Sequence, residues 1–586
     1  MEYTDLQPTA FVPRPLKVVV IGAGPSLRFI EFLASRLPMI YLVNFPGLIL
    51  RFTKKNPDVG GTWYENRYPG CTCDVPSHTY QFSWAPNHNW SQLYPAAFEI
   101  YTYLRDTVNQ HGLRKFMQFH WRCVSANWDE SASKWTTVFG HTQCNEKKVV
   151  ISDVLVYAVG RLNNYRIPVV EGQDRFQGRI VHTAAWPDDL VVEGARVVVI
   201  GNGASAVQCV AALQPVVSKL VNISRGPTWI VPHVLSEDGS VQKDYTAQER
   251  RSFQEDQKFY YTHRIGLEQK VATGFSGLWN GTSAQGRFTA MCKSFMESKV
   301  KDPALLNALL PDFQAGCRRF TPGQHYLAAL QQPNAEYAQG CIGELTDSAL
   351  ITQSGKTYPC DVIVYATGFE PYQPRFPIIG RDGASLDDNW NRRGPCESYM
   401  AAMVAQFPNF FAFNPPICPV NGSAIPGIER AANYMIRVLD RLQTDNLSSV
   451  SVRIEAQQEF NKWVQSRMAE MVWSGQCSSW YKNDDGKVMV PWPGTLLHYY
   501  RATELIRWED FDLRHRSATQ PYGSFGNGLT EDGFVPEKFP WVNVPDESSL
   551  CEKKRAITCS LVGHLRASWP CWSIWTISAI IVWMPR

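Results

Sequence analysis

The chain has 586 residues, of which 44% are hydrophobic and 12% aromatic, a length that allows roughly three or four domains. The formal net charge is +3, without any run of five like charges, which excludes the basic surface that nucleic-acid binding requires. The fifteen cysteines include no C-x-x-C pair, so we expect reduced thiols, no metal site and no dithiol chemistry.

Neither end of the chain carries a clear targeting signal. Met1–Pro15 is polar and lacks the apolar stretch of a signal peptide, which predicts a cytoplasmic protein. The sequence leaves open whether the protein is a monomer or a homo-oligomer. In the C-terminal extension, residues 551–586, the uncharged part from Ala567 to Pro585 is near the roughly 17–25 residues of a membrane span. Because Pro570 interrupts it and tryptophan prefers the membrane interface, a membrane anchor is the less favoured interpretation.

The first predicted element is a strand, Lys17–Ile21, which enters the turn Gly22-Ala-Gly24 and then a helix. Glycines at these positions permit a tight turn and bring the backbone close to a pyrophosphate, and the helix N-terminus offers unpaired N–H groups. Leu27 stands where such turns usually have a third glycine. The pattern therefore indicates a dinucleotide site of reduced regularity.

A second strand, turn and helix begin at Arg196 and contain Gly201-Asn-Gly203, and the small Ala206 permits close packing of helix on strand. The alternative is a tight turn without a ligand. The next strand ends at Arg225. An acid there would bind a ribose 2′-hydroxyl, whereas a guanidinium suits a 2′-phosphate, so we predict NADPH rather than NADH. A solvated surface arginine is the other interpretation.

The rest of the chain alternates between loop-rich and helical patterns. Residues 60–90 are loop-rich and aromatic, and residues 236–310 predict a helical insertion. Two strand ends look alike, Tyr-Ala-Val-Gly at residues 157–160 and Tyr-Ala-Thr-Gly at 365–368. Helical segments follow from about Gly427 to Met471, before a stretch rich in glycine and proline.

Two longer strings give the chain a family resemblance. Residues 60–74 read G-G-x-W-x-x-x-x-Y-P-G-x-x-x-D, and residues 176–187 read F-x-G-x-x-x-H-x-x-x-W-P. Together with the two dinucleotide turns, they resemble the class B flavin monooxygenases, and within these the type I Baeyer–Villiger monooxygenases. The string at residues 56–71 is similar to that of fungal members from secondary metabolism.

The resemblance implies an α/β fold with two Rossmann-like domains, one for FAD and one for NADPH, and a helical insertion. In such proteins the paired strand ends mark where the chain crosses between domains, so the NADPH domain is inserted into the FAD domain. The implied parts are an FAD domain at 1–160 and 369–550, an NADPH domain at 161–235 and 317–368, the insertion at 236–316 and the extension at 551–586.

The resemblance also implies two sets of cofactor contacts. Those for FAD are Gly22, Gly24, Thr62, Trp63, Tyr64, Glu65, Thr72, Cys73, Asp74 and Tyr80. Those for NADPH are Gly201, Asn202, Gly203, Ala204, Ser205, Ala206, Ser224, Arg225, Arg318 and Trp480.

Two of the family's positions carry the implied chemistry. Asp74 would orient Arg319, the catalytic cation, which stabilises negative charge as activated oxygen attacks a ketone. Arg318 would contact an NADP phosphate, and the indole N–H of Trp480 would bond to NADP. The alternatives are an aspartate that only caps a helix, two surface arginines, and a tryptophan that only packs.

Two segments depart from a simple assignment. His182 and Trp186 would lie between the domains, where a linker role, coupling domain movement to the flavin site, outweighs direct chemistry. In the family a glutamate stands four residues before the string that begins at Asp58, and here that position is Lys54. We hypothesise that a mispredicted splice junction altered residues 27–54. The alternative is an FAD site that lacks its ribose anchor.

The expected activity is therefore an FAD- and NADPH-dependent monooxygenase that uses O2 to convert a small-molecule ketone to an ester or lactone, in secondary-metabolite biosynthesis. The alternatives are oxygenation of a heteroatom or hydroxylation by the same cofactors, and a catalytically impaired nucleotide-binding relic. Product analysis separates the first two, and failure to take up FAD would indicate the relic.

Overall fold

The computed structural model describes residues 9–25, 51–53, 56–232 and 242–530, with only the backbone for 51–53. The sequence predictions for Leu27, Lys54 and the C-terminal extension lie outside these residues. The described chain falls into two units, residues 13–521, and residues 9–12 with 522–530. In the smaller unit the rings of Phe11 and Phe525 pack 5.4 Å apart.

The strands include all those predicted for the two dinucleotide motifs. They are β1 (Val18–Ile21), β2 (Arg51–Thr53), β3 (Met117–Gln118), β4 (Trp121–Asp129), β5 (Lys134–His141), β6 (Lys147–Ser152), β7 (Val154–Tyr157), β8 (Arg179–His182), β9 (Arg196–Ile200), β10 (Lys219–Ser224), β11 (Ile230–Val231), β12 (Thr321–Pro322), β13 (Ala335–Gln339), β14 (Ile342–Leu345), β15 (Ala349–Thr352), β16 (Thr357–Pro359), β17 (Val362–Tyr365), β18 (Ile378–Ile379), β19 (Phe410–Ala412), β20 (Leu447–Val452) and β21 (Phe511–His515).

The helices follow the predicted pattern, except that β20 divides the helical stretch expected between residues 427 and 471. They are α1 (Thr62–Glu65), α2 (Ala97–Gln110), α3 (Ala204–Leu213), α4 (Ala247–Glu255), α5 (Gln257–Thr273), α6 (Ser283–Lys299), α7 (Pro303–Leu309), α8 (Gln324–Ala329), α9 (Leu386–Asn389), α10 (Ala424–Thr444), α11 (Ile454–Met468) and α12 (Leu496–Ala502). No helix in the described ranges is long and apolar enough to cross a membrane.

The first sheet has the strand order β19-β7-β1-β2-β3, and all its pairs are parallel. The chain leaves this sheet after β7 and returns to it with β19. All four residues of β1 and of β7 are buried, as expected for a parallel sheet that is covered on both faces. The paired residues of β1 and β7 begin at Val18 and Val154.

The second sheet is built from the chain between those two crossings. Its order is β13-β10-β9-β17-β8, again with parallel pairs. Along β9 the side chains alternate between two cores: Val197 and Val199 pack on the side of α3, and Val198 and Ile200 on the opposite face. The second sheet is therefore covered on both faces, like the first. Two covered parallel sheets in one chain are the arrangement expected of two dinucleotide folds.

Smaller elements complete the larger unit. Strands β4, β5 and β6 form an antiparallel meander, β14 to β16 form another, and β20 pairs with β21. The predicted helical insertion consists of α4 to α7. Each of these helices begins at a residue whose side-chain oxygen accepts a backbone N–H, which explains why a rather polar segment is helical here; the four are Thr246, Asp256, Thr282 and Asp302.

The two similar strand ends have the same structural role. A Cβ on Gly22 would lie 2.2 Å from the carbonyl oxygen of Ala158, and a Cβ on Gly201 would lie 2.4 Å from that of Ala366. Both glycines have a positive φ, +114° and +121°. Each glycine turn therefore passes directly over the end of a neighbouring strand, and no side chain fits between them.

A disulfide joins two segments that are 160 residues apart. Cys317 precedes β12, Cys477 follows α11, and their Cα atoms are 6.1 Å apart. Both residues are buried, at 0% and 5% exposure. The expectation that the cysteines are reduced is wrong for this pair. The bond holds the segment that carries Arg318 and Arg319 against the loop that carries Trp480.

Replacing Gly201 with alanine is expected to destabilise the protein by roughly 2–4 kcal/mol, because the methyl group would meet the Ala366 carbonyl in an unfavourable backbone conformation. Gly203→Ala is the matched control, since Gly203 has a φ of −77° and no atom within 4 Å of its added Cβ. Thermal unfolding without added nucleotide should show a lower Tm for Gly201→Ala only. An equal loss in both variants would refute the steric explanation.

Removing the disulfide with Cys477→Ser is expected to loosen the loop at residues 478–483, because a cross-link typically contributes about 2–4 kcal/mol to stability. Hydrogen–deuterium exchange of that loop should accelerate in the variant and in reduced wild-type protein. Cys360→Ser is the control for loss of a buried sulfur, since Cys360 is buried and unpaired. Unchanged exchange in Cys477→Ser would contradict the prediction.

Candidate active site

A large cavity, of about 1410 Å³, is lined by both glycine turns and by the segment between residues 61 and 75. It lies beyond the carboxyl ends of β1 and β9, where doubly wound sheets bind their ligands. Every residue predicted to bind a cofactor or to act in catalysis lines this cavity, with the exceptions of Tyr64 and Ala206.

The two exceptions have clear structural surroundings. Tyr64 packs edge-on against Tyr101, with ring centroids 5.6 Å apart, and lines a separate pocket of about 360 Å³. Ala206 is fully buried on α3, within the core that covers the second sheet. Ala206 has the packing role that the sequence suggested, without reaching the cavity.

The segment from Gly60 to Asp74 connects the two halves of the cavity. A Cβ on Gly61 would lie 3.2 Å from the Cα of Gly24 in the first turn. A Cβ on Gly70 would lie 2.7 Å from the carbonyl oxygen of Gln208 on α3. Both glycines have a positive φ. A residue with a side chain would therefore not fit at either place, where the segment packs against the first glycine turn and against α3.

Side chains strengthen the same connection. The amide of Gln208 donates to the carbonyl and hydroxyl oxygens of Thr72 at 3.0 and 3.1 Å, and the Tyr68 hydroxyl donates to Gln208 at 2.8 Å. Nearer the first turn, the indole N–H of Trp63 donates to the Tyr80 hydroxyl at 3.1 Å. These bonds fix the aromatic wall of the cavity relative to both sheets.

The first turn fits a dinucleotide as far as the described residues extend. Gly22, Gly24, Thr62 and Glu65 face the cavity, and β2 pairs parallel to β1 at the place of the second strand of such a fold. Strand β2 ends at Thr53, immediately before Lys54. Since Lys54 lies outside the described residues, the hypothesis on a missing ribose anchor remains untested by the structure.

The second turn faces a pair of guanidinium groups. Arg225, at the end of β10, and Arg318 both line the cavity, and burial together with the charge of Arg225 lowers the pKa of Arg318. Arg318 donates to the Pro227 carbonyl at 3.1 Å, while its Nε is buried without a hydrogen-bond partner in the described ranges. Two neighbouring cations with an unused donor suit a doubly charged anion such as a 2′-phosphate.

Arg319 and Asp74 form a bidentate ion pair. Nε of Arg319 donates to one carboxylate oxygen at 2.8 Å, and Nη2 donates to the other at 2.7 Å. The charge of Asp74 raises the pKa of Arg319, so the guanidinium is a permanent cation. Both side chains remain partly exposed to the cavity, at 35% and 20%. The predicted relation between the two residues is therefore present in the geometry.

Trp480 lines the cavity beside another arginine, Arg161. The guanidinium carbon of Arg161 lies 5.7 Å from the centre of the Trp480 ring, and the Tyr481 ring packs edge-on against Trp480 at 4.7 Å. Lys482 donates back to the carbonyl groups of Gly475 and Cys477. The loop is thus held by its own hydrogen bonds and by the disulfide that starts it.

His182 lies at the end of β8, away from the cavity. Its Nδ1 accepts a hydrogen bond from the Ala184 backbone at 3.0 Å, and its ring stacks on Tyr165 at 4.6 Å. Burial lowers the pKa of His182 to about 4, so the ring is neutral near pH 7. These contacts suit the structural linker role, while the coupling of domain movement remains a prediction.

Sequence reasoning missed three features of the site: Arg161, the anchoring amide of Gln208, and the disulfide between Cys317 and Cys477. Arg161 directly follows the strand end Tyr-Ala-Val-Gly, so its position at a domain crossing is a signal that could have been used. The other two depend on contacts between distant segments, for which a single sequence offers no pattern.

Comparison with known proteins assigns the chain to a family. The model of the flavin-binding monooxygenase-like family matches residues 72–250. The FAD-binding monooxygenase moxY of Dothistroma septosporum is 35% identical over 528 residues, 88% of this chain and 82% of that protein. A Baeyer–Villiger monooxygenase of Streptomyces coelicolor is 32% identical over 471 residues, 79% of this chain and 87% of its own.

A solved structure shares the fold along most of both chains. Cyclohexanone monooxygenase from Rhodococcus sp. Phi1, crystallised with NADP+, superimposes with a TM-score of 0.73 at 24% identity, covering 86% of this chain and 100% of that chain. This agreement confirms the α/β fold class with two dinucleotide-binding folds. On the strength of its sequence relatives, the protein belongs to the class B flavin monooxygenases, in the type I Baeyer–Villiger family.

Proposed function

We propose that the protein binds FAD and NADPH and converts a ketone to an ester or lactone, with O2 as the oxidant. One oxygen atom enters the product next to the carbonyl carbon, the other leaves as water, and NADPH supplies two electrons. The observation that carries the proposal is the bidentate Asp74–Arg319 pair, placed in a cavity between two dinucleotide turns.

The chain's own groups have separable roles in this proposal. Gly22 and Gly24 would hold the FAD pyrophosphate, with Trp63 and Tyr80 as the wall beside the flavin. Gly201 and Gly203 would hold the pyrophosphate of NADPH, and the pair Arg225 and Arg318 its 2′-phosphate. NADPH is favoured over NADH because two neighbouring guanidinium groups bind a charged 2′-phosphate more strongly than the uncharged ribose of NADH.

Arg319 is the proposed catalytic residue. Bound FAD, reduced by NADPH, would supply the activated oxygen. Arg319 would hold a fixed positive charge near the ketone oxygen, on which negative charge develops. A charge that is already oriented in a partly buried cavity stabilises the transition state strongly. Asp74 keeps the guanidinium plane in position through both oxygens, which a single hydrogen bond could not do.

Several finer assignments belong to the same proposal. We take the domain bounds from the sequence, with the NADPH domain at 161–235 and 317–368 inserted between the two parts of the FAD domain. Resemblance of residues 56–71 to fungal members supports a ketone from secondary metabolism. The disulfide argues for an environment that leaves this pair oxidised.

Product analysis tests the function directly. Purified protein with FAD, NADPH and ¹⁸O2 should convert methyl 4-oxocyclohexanecarboxylate to a lactone that carries one labelled oxygen. Methyl phenyl sulfide serves as the competing probe. A sulfoxide without any lactone would assign the chain to heteroatom oxygenation, and protein that takes up no FAD would indicate the nucleotide-binding relic.

Replacing Arg319 with alanine is expected to lower lactone formation by roughly 100-fold or more, the usual cost of losing an oriented charge at the reacting oxygen. NADPH oxidation should continue, with its electrons diverted to hydrogen peroxide. Arg318→Ala is the contrast: its KM for NADPH should rise, while the lactone formed per NADPH consumed stays the same. Equal coupling in Arg319→Ala and wild type would refute the catalytic role.

A further inference from the structure

Arg161 is a second cation in the part of the cavity that holds Arg319 and Trp480. Its Nη1 donates to the Cys418 sulfur at 2.7 Å and to the Tyr372 hydroxyl at 3.4 Å. The other guanidinium nitrogens of Arg161 have no acceptor among the residues that the structure describes. They are also not among the fully buried polar atoms that lack a partner, so they are not fully buried. Part of the guanidinium fork therefore faces the open cavity.

Three of the other arginines that line the cavity are neutralised by carboxylates. Arg319 is paired with Asp74, and both Arg166 and Arg392 are paired with Glu370, at 2.8 and 2.7 Å. Arg161 has no carboxylate within 4 Å in the described ranges. Arg161 lies beside Trp480, whereas Arg225 and Arg318 face the second glycine turn.

The two partners of Arg161 leave its charge uncompensated. Tyr372 and Cys418 are buried, at 5% and 0% exposure, and burial raises the pKa of both groups. They are therefore an uncharged phenol and an uncharged thiol near pH 7. Keeping a guanidinium in a partly dry site without a counter-charge costs stability, a cost that a bound anion would offset.

We propose that the substrate is a ketone that also carries a carboxylate, which the open edge of Arg161 binds. The proposal rests on the function proposed above and adds the substrate's charge. A guanidinium fork matches a carboxylate with two parallel hydrogen bonds. Arg161 and Arg319 line the same cavity, and both act electrostatically on the Tyr481 hydroxyl, so a carboxylate bound at Arg161 would place the rest of the molecule in the cavity that contains Arg319.

A pair of probes tests this without turnover. 4-Oxocyclohexanecarboxylate and its methyl ester share the ketone ring and differ in the negative charge and one methyl group. Isothermal titration calorimetry of the oxidised, FAD-loaded protein with NADP+ should show at least about 10-fold tighter binding of the acid, the gain expected from a charged hydrogen-bonded pair. Arg161→Gln should remove this preference, and Arg161→Lys should keep part of it.

Arg392→Gln is the matched control, because it removes another cavity arginine whose charge is already neutralised. The preference for the acid should persist in that variant. The Tm of Arg161→Gln should equal or exceed that of wild type, since an uncompensated charge is removed, and this confirms that the variant is folded.

Three results would overturn the proposal: no binding of the acid by wild type at about 10 mM, an equal preference in wild type and Arg161→Gln, or a rise in the Kd of NADPH as the sole effect of Arg161→Gln. The last result would assign Arg161 to the nicotinamide nucleotide. Failure of the function itself would look different: the acid would still bind through Arg161, but no lactone would form from either probe.

Discussion

The ion pair between Asp74 and Arg319 is the interaction on which the rest of the site depends. Its two members come from distant parts of the chain, one from the segment that follows α1 and the other from the segment before β12. The pair keeps its geometry only if both segments are held in place. A mobile arginine side chain would lose the orientation that electrostatic catalysis requires. Most of the unusual local structure serves to hold them.

On the Asp74 side, glycines do the positioning. Gly61 packs against the first nucleotide turn and Gly70 against α3, so the segment is fixed to both sheets before it reaches Asp74. On the Arg319 side, the disulfide from Cys317 ties the segment to the loop that carries Trp480. The cation, its partner and the wall of the cavity are therefore parts of one rigid arrangement, while Arg161 adds a charge that has no carboxylate partner among the described residues.

Sequence reasoning predicted those elements that depend on a local residue pattern. The strand, glycine turn and helix around Gly22 and Gly201 follow from short-range sterics, and they were found as expected. The Asp74–Arg319 relation came from resemblance and spans 245 residues, which no periodicity could reveal. The disulfide was missed, and the reduced-thiol expectation failed there, because its cysteines are 160 residues apart in the sequence. The sequence did not reveal that Tyr64 lines a separate pocket, because a motif position does not show which way a side chain points.

Anaerobic reduction of the FAD-loaded protein tests the central claim, that one cavity holds a flavin and a nicotinamide nucleotide in contact. Stopped-flow absorbance should show the yellow flavin bleaching on mixing with NADPH, and much more slowly with NADH, because only NADPH carries the 2′-phosphate that Arg225 and Arg318 are proposed to bind. Equal rates with the two nucleotides would contradict the assignment of that arginine pair. A flavin that binds but is not bleached by either would contradict the account of the cavity as a whole.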